Sequence, residues 1–404
     1  FSLCRRKGLL HVNLKKCSDK LPLEPCIRGE YDLRHVSFVN TTSPSLGVNP
    51  ERLWRWLDRR CPWILRWCAV PYGAVGQFRR AAYQCGWFPR HRLPKPVISV
   101  GNMTVGGTGK TPLVMWLAAR LHERGKRVAI LSRGYGRHCS AVNKLVSDGV
   151  SLKGDWRSVG DEAILMAEKC PWAIVAVGPN RYRLGQWVLE QASCDCFLLD
   201  DGFQHLSLYR DLDVLLFDAT DVEGLSGVVP AGRMREPLSA AKWASTIVFS
   251  RTEQVVSVAS LQNRIEQSVG TSIVPIRLET EPGMFTHIAT GKSQQAVNFK
   301  RTACLLFSGI GNPASFRRSV ASCGLTVGEE VRYPDHFAYS EKDVEGIRLK
   351  MRRVGLDLAI TTEKDALKIR EYLKHDDPLW ALEVHVRMTQ GEHQLRKQLH
   401  AICP

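Results

Sequence analysis

No stretch of this 404-residue chain reaches the roughly 18 consecutive apolar positions that a membrane-crossing helix needs. Internal repeats and low-complexity tracts are missing too, and the ordinary composition excludes collagen, coiled coil or wholesale disorder. Cysteines at zinc-ligand spacing are lacking. The 13 cysteines are scattered, and Cys194 and Cys196 flank Asp195 with no second pair to complete a metal site. Buried reduced thiols of a cytosolic protein are the expectation. Acidic charge is scarce only at one end: residues 1–95 hold +12 of the +16 formal charge. That split argues against a nucleic-acid groove through the body of the chain and against nucleic acid as a partner.

What is present begins with Val97-Ile98-Ser99-Val100, a β-branched run leading into Gly101-Asn102-Met103-Thr104-Val105-Gly106-Gly107-Thr108-Gly109-Lys110-Thr111. A glycine-rich turn between a strand and a helix points backbone N–H groups at one spot, where the helix N-terminus and a lysine add positive charge. Thr104, Val105, Gly106, Gly107, Thr108, Gly109, Lys110 and Thr111 are therefore the expected phosphate cradle, with the Thr111 hydroxyl placed for Mg²⁺. The first glycine of the standard pattern is replaced by Thr104.

From Val97 onward strand and helix patterns alternate, which predicts an α/β fold: a P-loop NTPase-like parallel sheet flanked by helices. Strands are expected at Val97–Val100, Val128–Leu131, Ala173–Val177, Phe197–Leu199, Val214–Phe217 and Thr246–Phe249. Helices are expected at Lys110–Arg124, Asp161–Lys169 and Arg181–Gln191. Further strands near Ile273–Leu278, Val297–Phe307, Val327–Tyr333, Leu356–Thr361 and Trp380–Val386 suggest a kinase-like core over 96–290 and a smaller C-terminal α/β domain over 291–404. Residues 1–50, which do not start with Met, show no clear hydrophobic period; a fragment edge, a targeting segment and a spurious extension all stay open. Residues 51–95 interleave Trp54, Trp56, Trp63, Trp67 and Trp87 with seven arginines from Arg52 to Arg80. That mixture suits an interfacial helix lying on an anionic membrane surface; the rival account is an amphipathic helix packed on the protein's own core.

Phosphoryl transfer also needs carboxylates, a base and cations. Asp200 and Asp201 end an apolar strand, the form of a Walker B element. Asp161 and Glu162 open a helix, where they could serve the helix dipole alone. Asp335-His336 follows Tyr333-Pro334 and offers an Asp–His pairing. Arg181, Arg233 and Arg235 supply cations.

Taken in order, Val100–Thr111, Ser132-Arg133-Gly134-Tyr135-Gly136, Gly160-Asp161-Glu162, Asp200-Asp201-Gly202-Phe203-Gln204-His205, Pro230–Leu238, Tyr333–Phe337 and Thr361–Ala366 resemble the tetraacyldisaccharide 4′-kinase family of lipid A synthesis. The resemblance covers about residues 51–390, and the family's loop also lacks the first glycine. It implies transfer of the ATP γ-phosphate to the 4′-hydroxyl of an acylated glucosamine disaccharide 1-phosphate, at the cytoplasmic face of the bacterial inner membrane. It implies Asp161 as the base with His336 as partner, Lys110 on the phosphates, and Mg²⁺ held by Thr111, Asp200 and Asp201. Arg233 stands where the family more often has Pro, so Arg235 is the implied functional arginine. Arg133, Gly134, Tyr135, Arg181, Gln204 and His205 are candidates for the sugar site, and Thr361–Ala366 has no assigned role. Two rivals differ in class. A deviant Walker A ATPase would need a lysine where Val105 stands. A non-catalytic, nucleotide-gated membrane scaffold would rest on the Trp/Arg segment and would survive loss of Asp161.

Overall fold

Every residue of Val97–Asn102 is buried, as a strand covered by helices on both faces must be, and this strand (β1) lies inside the sheet. The computed structural model describes residues 60–137 and 142–404, all within the unit Asp32–Pro404. Trp54, Trp56, Arg52, Arg55, Arg59 and the 1–50 extension lie outside the described residues.

Among the described residues thirteen strands form one sheet. After β1 come β2 (Val128–Ser132), β3 (Lys144–Asp148), β4 (Ile174–Val177), β5 (Cys196–Asp200), β6 (Leu212–Asp218), β7 (Thr246–Ser250), β8 (Ile276–His287), β9 (Ser293–Gln294), β10 (Ala303–Ser308), β11 (Thr326–Arg332), β12 (Ala359–Thr362) and β13 (Leu379–Gln390). Their order is β11-β10-β12-β13-β8-β7-β6-β1-β5-β2-β4-β3, with β9 on β8. One parallel wing runs from β7 to β4, and a second from β13 to β11. The chain thus adopts the α/β architecture expected of it.

The helices are α1 (Pro62–Gln84), α2 (Lys110–His122), α3 (Trp156–Val159), α4 (Asp161–Lys169), α5 (Arg181–Gln191), α6 (Ala259–Val269), α7 (Pro313–Ser322), α8 (Glu341–Val354), α9 (Glu363–Ile369) and α10 (Glu392–Ile402). On α2, Leu113, Val114, Leu117 and Leu121 recur at helical spacing and pack with Ile98, Val100 and Ile130 of the sheet.

Three features depart from the sequence expectation. β3 is an antiparallel edge strand. β10 starts at Ala303 and not at Val297, because Ala296–Phe299 forms a 3₁₀ turn and Arg301 takes a positive φ of 63° that extended chain cannot accommodate. β8 and β13, twelve residues each, pair antiparallel and carry the sheet across the expected boundary near 290. Leu395, Leu399 and Cys403 of the C-terminal segment join the core of the first wing. We propose a two-lobe division that passes through β8 and β13, with α10 on the first lobe.

α1 buries Leu65, Ala69, Gly73 and Arg80 along one stripe. Trp63, Trp67, Val70, Val75 and Phe78 stay exposed, Trp67 by 75%. No helix among the described residues is long and apolar enough to cross a membrane. Arg80 anchors α1 to the body: its guanidinium donates to both Glu236 oxygens at 2.7 and 3.0 Å and stacks over Phe203 at 4.5 Å. Both partners are buried. Replacing Arg80 by Met strands the Glu236 carboxylate, so a loss of about 3–5 kcal/mol of unfolding free energy is expected in urea titrations. An unchanged midpoint would show the pair to be dispensable.

Candidate active site

Backbone N–H groups, one lysine and three carboxylates converge where β1 and β5 end. Gly109 caps α2 in a left-handed conformation (φ 86°), open to glycine because no Cβ meets the following carbonyl. This turn presents Lys110 and Thr111 as the first residues of α2. The Thr108 carbonyl accepts from Ser250 Oγ at 2.7 Å, and the Asn102 amide donates to the Thr104 carbonyl at 2.7 Å. The Pro230–Leu238 segment runs beside the loop. The Val105 N–H donates to the Arg233 carbonyl at 2.8 Å, the Arg233 guanidinium donates back to the Val105 carbonyl, and the Arg235 N–H donates to the Met103 carbonyl at 2.7 Å. From the other lobe, Gly311 lies over the loop; a Cβ there would stand 2.4 Å from the Gly107 nitrogen. Thr104, Val105, Gly106, Gly107, Thr108, Gly109, Lys110 and Thr111 thus line one turn between the lobes.

Lys110 Nζ lies 3.4 Å from Asp201 Oδ1, and Arg235 donates to Asp201 Oδ2 at 2.7 Å. Burial would raise the Asp201 carboxyl, but Arg235 and Lys110 outweigh it and hold the group well below the usual carboxylate range. Asp200 is the opposite case. Burial and the neighbouring Glu162 charge push it up to about 7, with Lys110 and Arg181 pulling only part of the way back. Its Oδ2 accepts from Ser132 at 3.3 Å, while its buried Oδ1 has no hydrogen-bond partner. Lys110 thus acts electrostatically on both aspartates.

Asp161 opens α4, and His336 reaches it from the loop after β11. His336 Nδ1 lies 3.0 Å from Oδ1 and 3.1 Å from Oδ2 of Asp161. His336 has a left-handed backbone (φ 57°) fixed by its N–H donating to the Gly309 carbonyl at 3.1 Å. Burial would raise the Asp161 carboxyl, yet His336, Lys364 and Lys368 hold it well below its ordinary value. Burial and Lys364 depress the imidazole, but Asp161 and Asp335 prevail and raise it. The Tyr135 ring sits 4.8 Å from that of His336.

Of the sugar-site candidates, Arg133, Arg181 and His205 act electrostatically on one another, while Tyr135 stands beside His336. Arg181 heads α5, which Asn180 caps. Burial and then Arg133 bring its guanidinium down to about 10, against the pull of Asp201 and Asp200, and its Nε has no hydrogen-bond partner. Burial, Arg181, Arg210, Arg79 and Arg133 drive His205 down to about 3, so it is neutral in a cationic bowl. Gln204 donates to the Asn102 carbonyl at 2.9 Å. Gly134 (φ 69°) turns the chain after β2, with Arg133 acting on Arg181 and Tyr135 against His336.

Sequence reasoning missed Lys364 and Lys368 on α9, which meet Glu162 at 2.9 Å and Asp161 at 3.2 Å. Their signal was an i, i+4 pair of lysines flanking Asp365, the first inside the Thr361–Ala366 motif with no assigned role and the second just beyond it. It missed Glu236, whose partner Arg80 is 156 positions away. It also missed a cavity of about 240 Å³ beside the loop, lined among others by Thr108, Asp218, Arg233, Gly311 and Asn312.

The chain is similar to known proteins over most of its length. The profile of the family described as tetraacyldisaccharide-1-P 4′-kinase matches residues 61–403. A tetraacyldisaccharide 4′-kinase of Geobacter metallireducens is 38% identical over 313 residues, covering 78% of this chain and 90% of that protein. One from Anaeromyxobacter sp. (strain Fw109-5) is 34% identical over 357 residues, covering 87% of this chain and 95% of that protein. A crystal structure of LpxK from Aquifex aeolicus, described as an "apo" form in complex with ATP, is 32% identical, with a TM-score of 0.67 over 87% of this chain and 100% of that one. These matches over most of the chain make it a member of the tetraacyldisaccharide-1-P 4′-kinase family.

Proposed function

We propose that this chain transfers the γ-phosphate of ATP to the 4′-hydroxyl of a tetraacylated glucosamine disaccharide 1-phosphate, a lipid A precursor. The observation that supports the reading is electrostatic linkage: Asp200 feels both Lys110, 3.4 Å from Asp201, and Glu162, the neighbour of the Asp161 that pairs with His336 at 3.0 Å. The triphosphate lies along the 104–111 turn with Lys110 on its β- and γ-oxygens. The nucleoside extends toward the cavity beside Thr108 and Asn312. The 1-phosphate and sugar face the bowl of Arg133, Arg181 and His205, with Tyr135 and Gln204 at its edge.

Within the pair we assign the roles differently from the sequence expectation that Asp161 is the base. Its carboxylate is already engaged by His336, Lys368 and the Glu162 N–H at 2.8 Å, and it is held well below its ordinary basicity. His336 keeps Nε2 directed away from Asp161, with Asp335 3.9 Å off. His336 Nε2 takes the 4′-hydroxyl proton while Asp161 orients the ring and stabilises the imidazolium. The freed oxygen bonds to the γ-phosphorus as the bond to the bridging oxygen breaks, and ADP departs. Lys110 and Arg235 balance the charge that builds on the transferred group.

Mg²⁺ fits the acidic side. An orphaned, buried Asp200 oxygen whose carboxyl is pushed up to about 7 calls for a cation. No group of three or more His, Cys, Asp or Glu gathers for a metal among the described residues, consistent with an ion held by one or two carboxylates plus phosphate oxygens. Asp200, Asp201 and Thr111 would hold it: Asp201 Oδ1 likewise has no hydrogen-bond partner, although Lys110 and Arg235 pair with that carboxylate. When bound, the ion supplies charge neutralisation at the phosphates.

The exposed Trp63, Trp67 and Phe78 face of α1 supports docking at the cytoplasmic face of the bacterial inner membrane, where the acyl chains of the substrate are held. Nucleic acid is no part of this reading. Trp67→Ser together with Phe78→Ser is expected to lower partition onto anionic vesicles about tenfold or more while ATP binding persists; unchanged sedimentation with vesicles would rule the docking role out. For the reaction itself, ATP, Mg²⁺ and a tetraacyldisaccharide 1-phosphate should give a product one phosphate heavier, with the new phosphate on the non-reducing sugar. No lipid-dependent ADP release would refute the kinase reading.

A further inference from the structure

Lys368 is an ammonium with 1% of its side chain exposed, and a buried charge is costly unless it is paired. Asp365, one turn earlier on α9, already pairs with it at 3.1 Å. Neutralising that charge needs no second carboxylate, yet Lys368 Nζ also reaches Asp161 Oδ2 at 3.2 Å, on the other lobe. Asp365 reaches the second member of the proton-accepting pair as well. Its Oδ2 accepts from the Gly309 N–H at 2.9 Å, and the Gly309 carbonyl accepts the His336 N–H. One seven-residue helix thereby holds both partners, His336 through the Gly309 turn and Asp161 through the lysine.

We propose that Lys368 is a positioning residue for the proton-accepting pair, fixing Asp161 from the opposite lobe so that the carboxylate stays anionic and turned toward His336 Nδ1. This rests on the reading of His336 as the proton acceptor. The charged and titratable groups around the pair are Glu162 on α4, Asp335 on the histidine's own loop, and Lys364, Asp365 and Lys368 on α9, with Tyr135 and Tyr339 beside them. Removing the Lys368 charge leaves more of the Asp161 anion to His336. The imidazolium is then better stabilised, the ring keeps its proton to higher pH, and less base is available in mildly acidic solution.

The test is the pH profile of kcat/KM for the full chain in Lys368→Met, Lys368→Arg and the double variant Asp365→Asn/Lys368→Met. The double variant removes both charges of the α9 pair, so it carries the test if the single change does not fold. The acid limb should move up by about 0.5–1 pH unit in the Met-containing variants, lowering kcat/KM below the limb about 3–10-fold, and stay in place for Lys368→Arg. KM for ATP should not change. A limb that superimposes on the wild type in the folded Met variants overturns the proposal, whether or not kcat/KM falls uniformly. If His336→Asn is inactive while the limb is unmoved, only the role of Lys368 fails. If His336→Asn keeps the wild-type rate and limb, the underlying reading fails instead.

Discussion

Replacing His336 by Asn is expected to lower kcat by about 10²–10⁴-fold with ATP affinity retained. Asn is the appropriate substitution because residue 336 has φ 57°, a conformation Asn adopts with little strain, so the loop should survive. Its amide can still meet Asp161 but cannot accept the hydroxyl proton and carry the charge. Asp161→Asn should also cut kcat heavily, since a neutral partner neither stabilises an imidazolium nor answers Lys368 at 3.2 Å. Stopped assays at saturating ATP and lipid, with nucleotide binding measured separately, check both. Near-normal turnover of His336→Asn would remove the histidine from the chemistry.

Lys110→Ala is expected to lower kcat/KM by about 10³-fold or more, through loss of the cation at the β- and γ-phosphates. The side chain also stands 3.4 Å from Asp201, so its removal leaves that carboxylate to Arg235 alone. Lys110→Arg should restore little, because a planar guanidinium does not reproduce a point charge at the end of a flexible stem. Circular dichroism and thermal melts separate this effect from unfolding: α2 is held by Leu113, Leu117 and Leu121, which the substitution leaves untouched. A folded Lys110→Ala with wild-type kcat/KM would place the triphosphate elsewhere.

Local signals were legible in the sequence because strand, glycine turn and helix are written over neighbouring residues. The helices Asp161–Lys169 and Arg181–Gln191 appear with the expected bounds, and the strand expected at Val97–Val100 runs on to Asn102. The phosphate loop and the acidic end of β5 were likewise readable, since a parallel sheet delivers both to one edge. What failed to show depends on distant pairings. Arg80 and Glu236 form one buried pair from segments with no common periodicity. Lys368 looks like an ordinary helix lysine until α9 packs against α4 and buries it. The long β8–β13 ladder was read as separate short strands because its middle residues are only half-buried and give no continuous apolar run.

The proposed exchange of roles between Asp161 and His336 has the same origin. Sequence spacing places a carboxylate at the start of a helix but says nothing of its neighbours. On the proposed reading, the cations around this buried carboxylate suit it to anchor a base rather than to act as one.

The central claim is that the triphosphate cradle and the Asp161–His336 pair meet at a single sugar hydroxyl. The measurement that tests it most directly is a crystal structure with a non-hydrolysable ATP analogue and the disaccharide substrate bound together. The account predicts the 4′-oxygen within about 3.2 Å of His336 Nε2 and in line with a γ-phosphate held by Lys110. A 4′-oxygen out of reach of His336, or a γ-phosphate held away from Lys110, would contradict it.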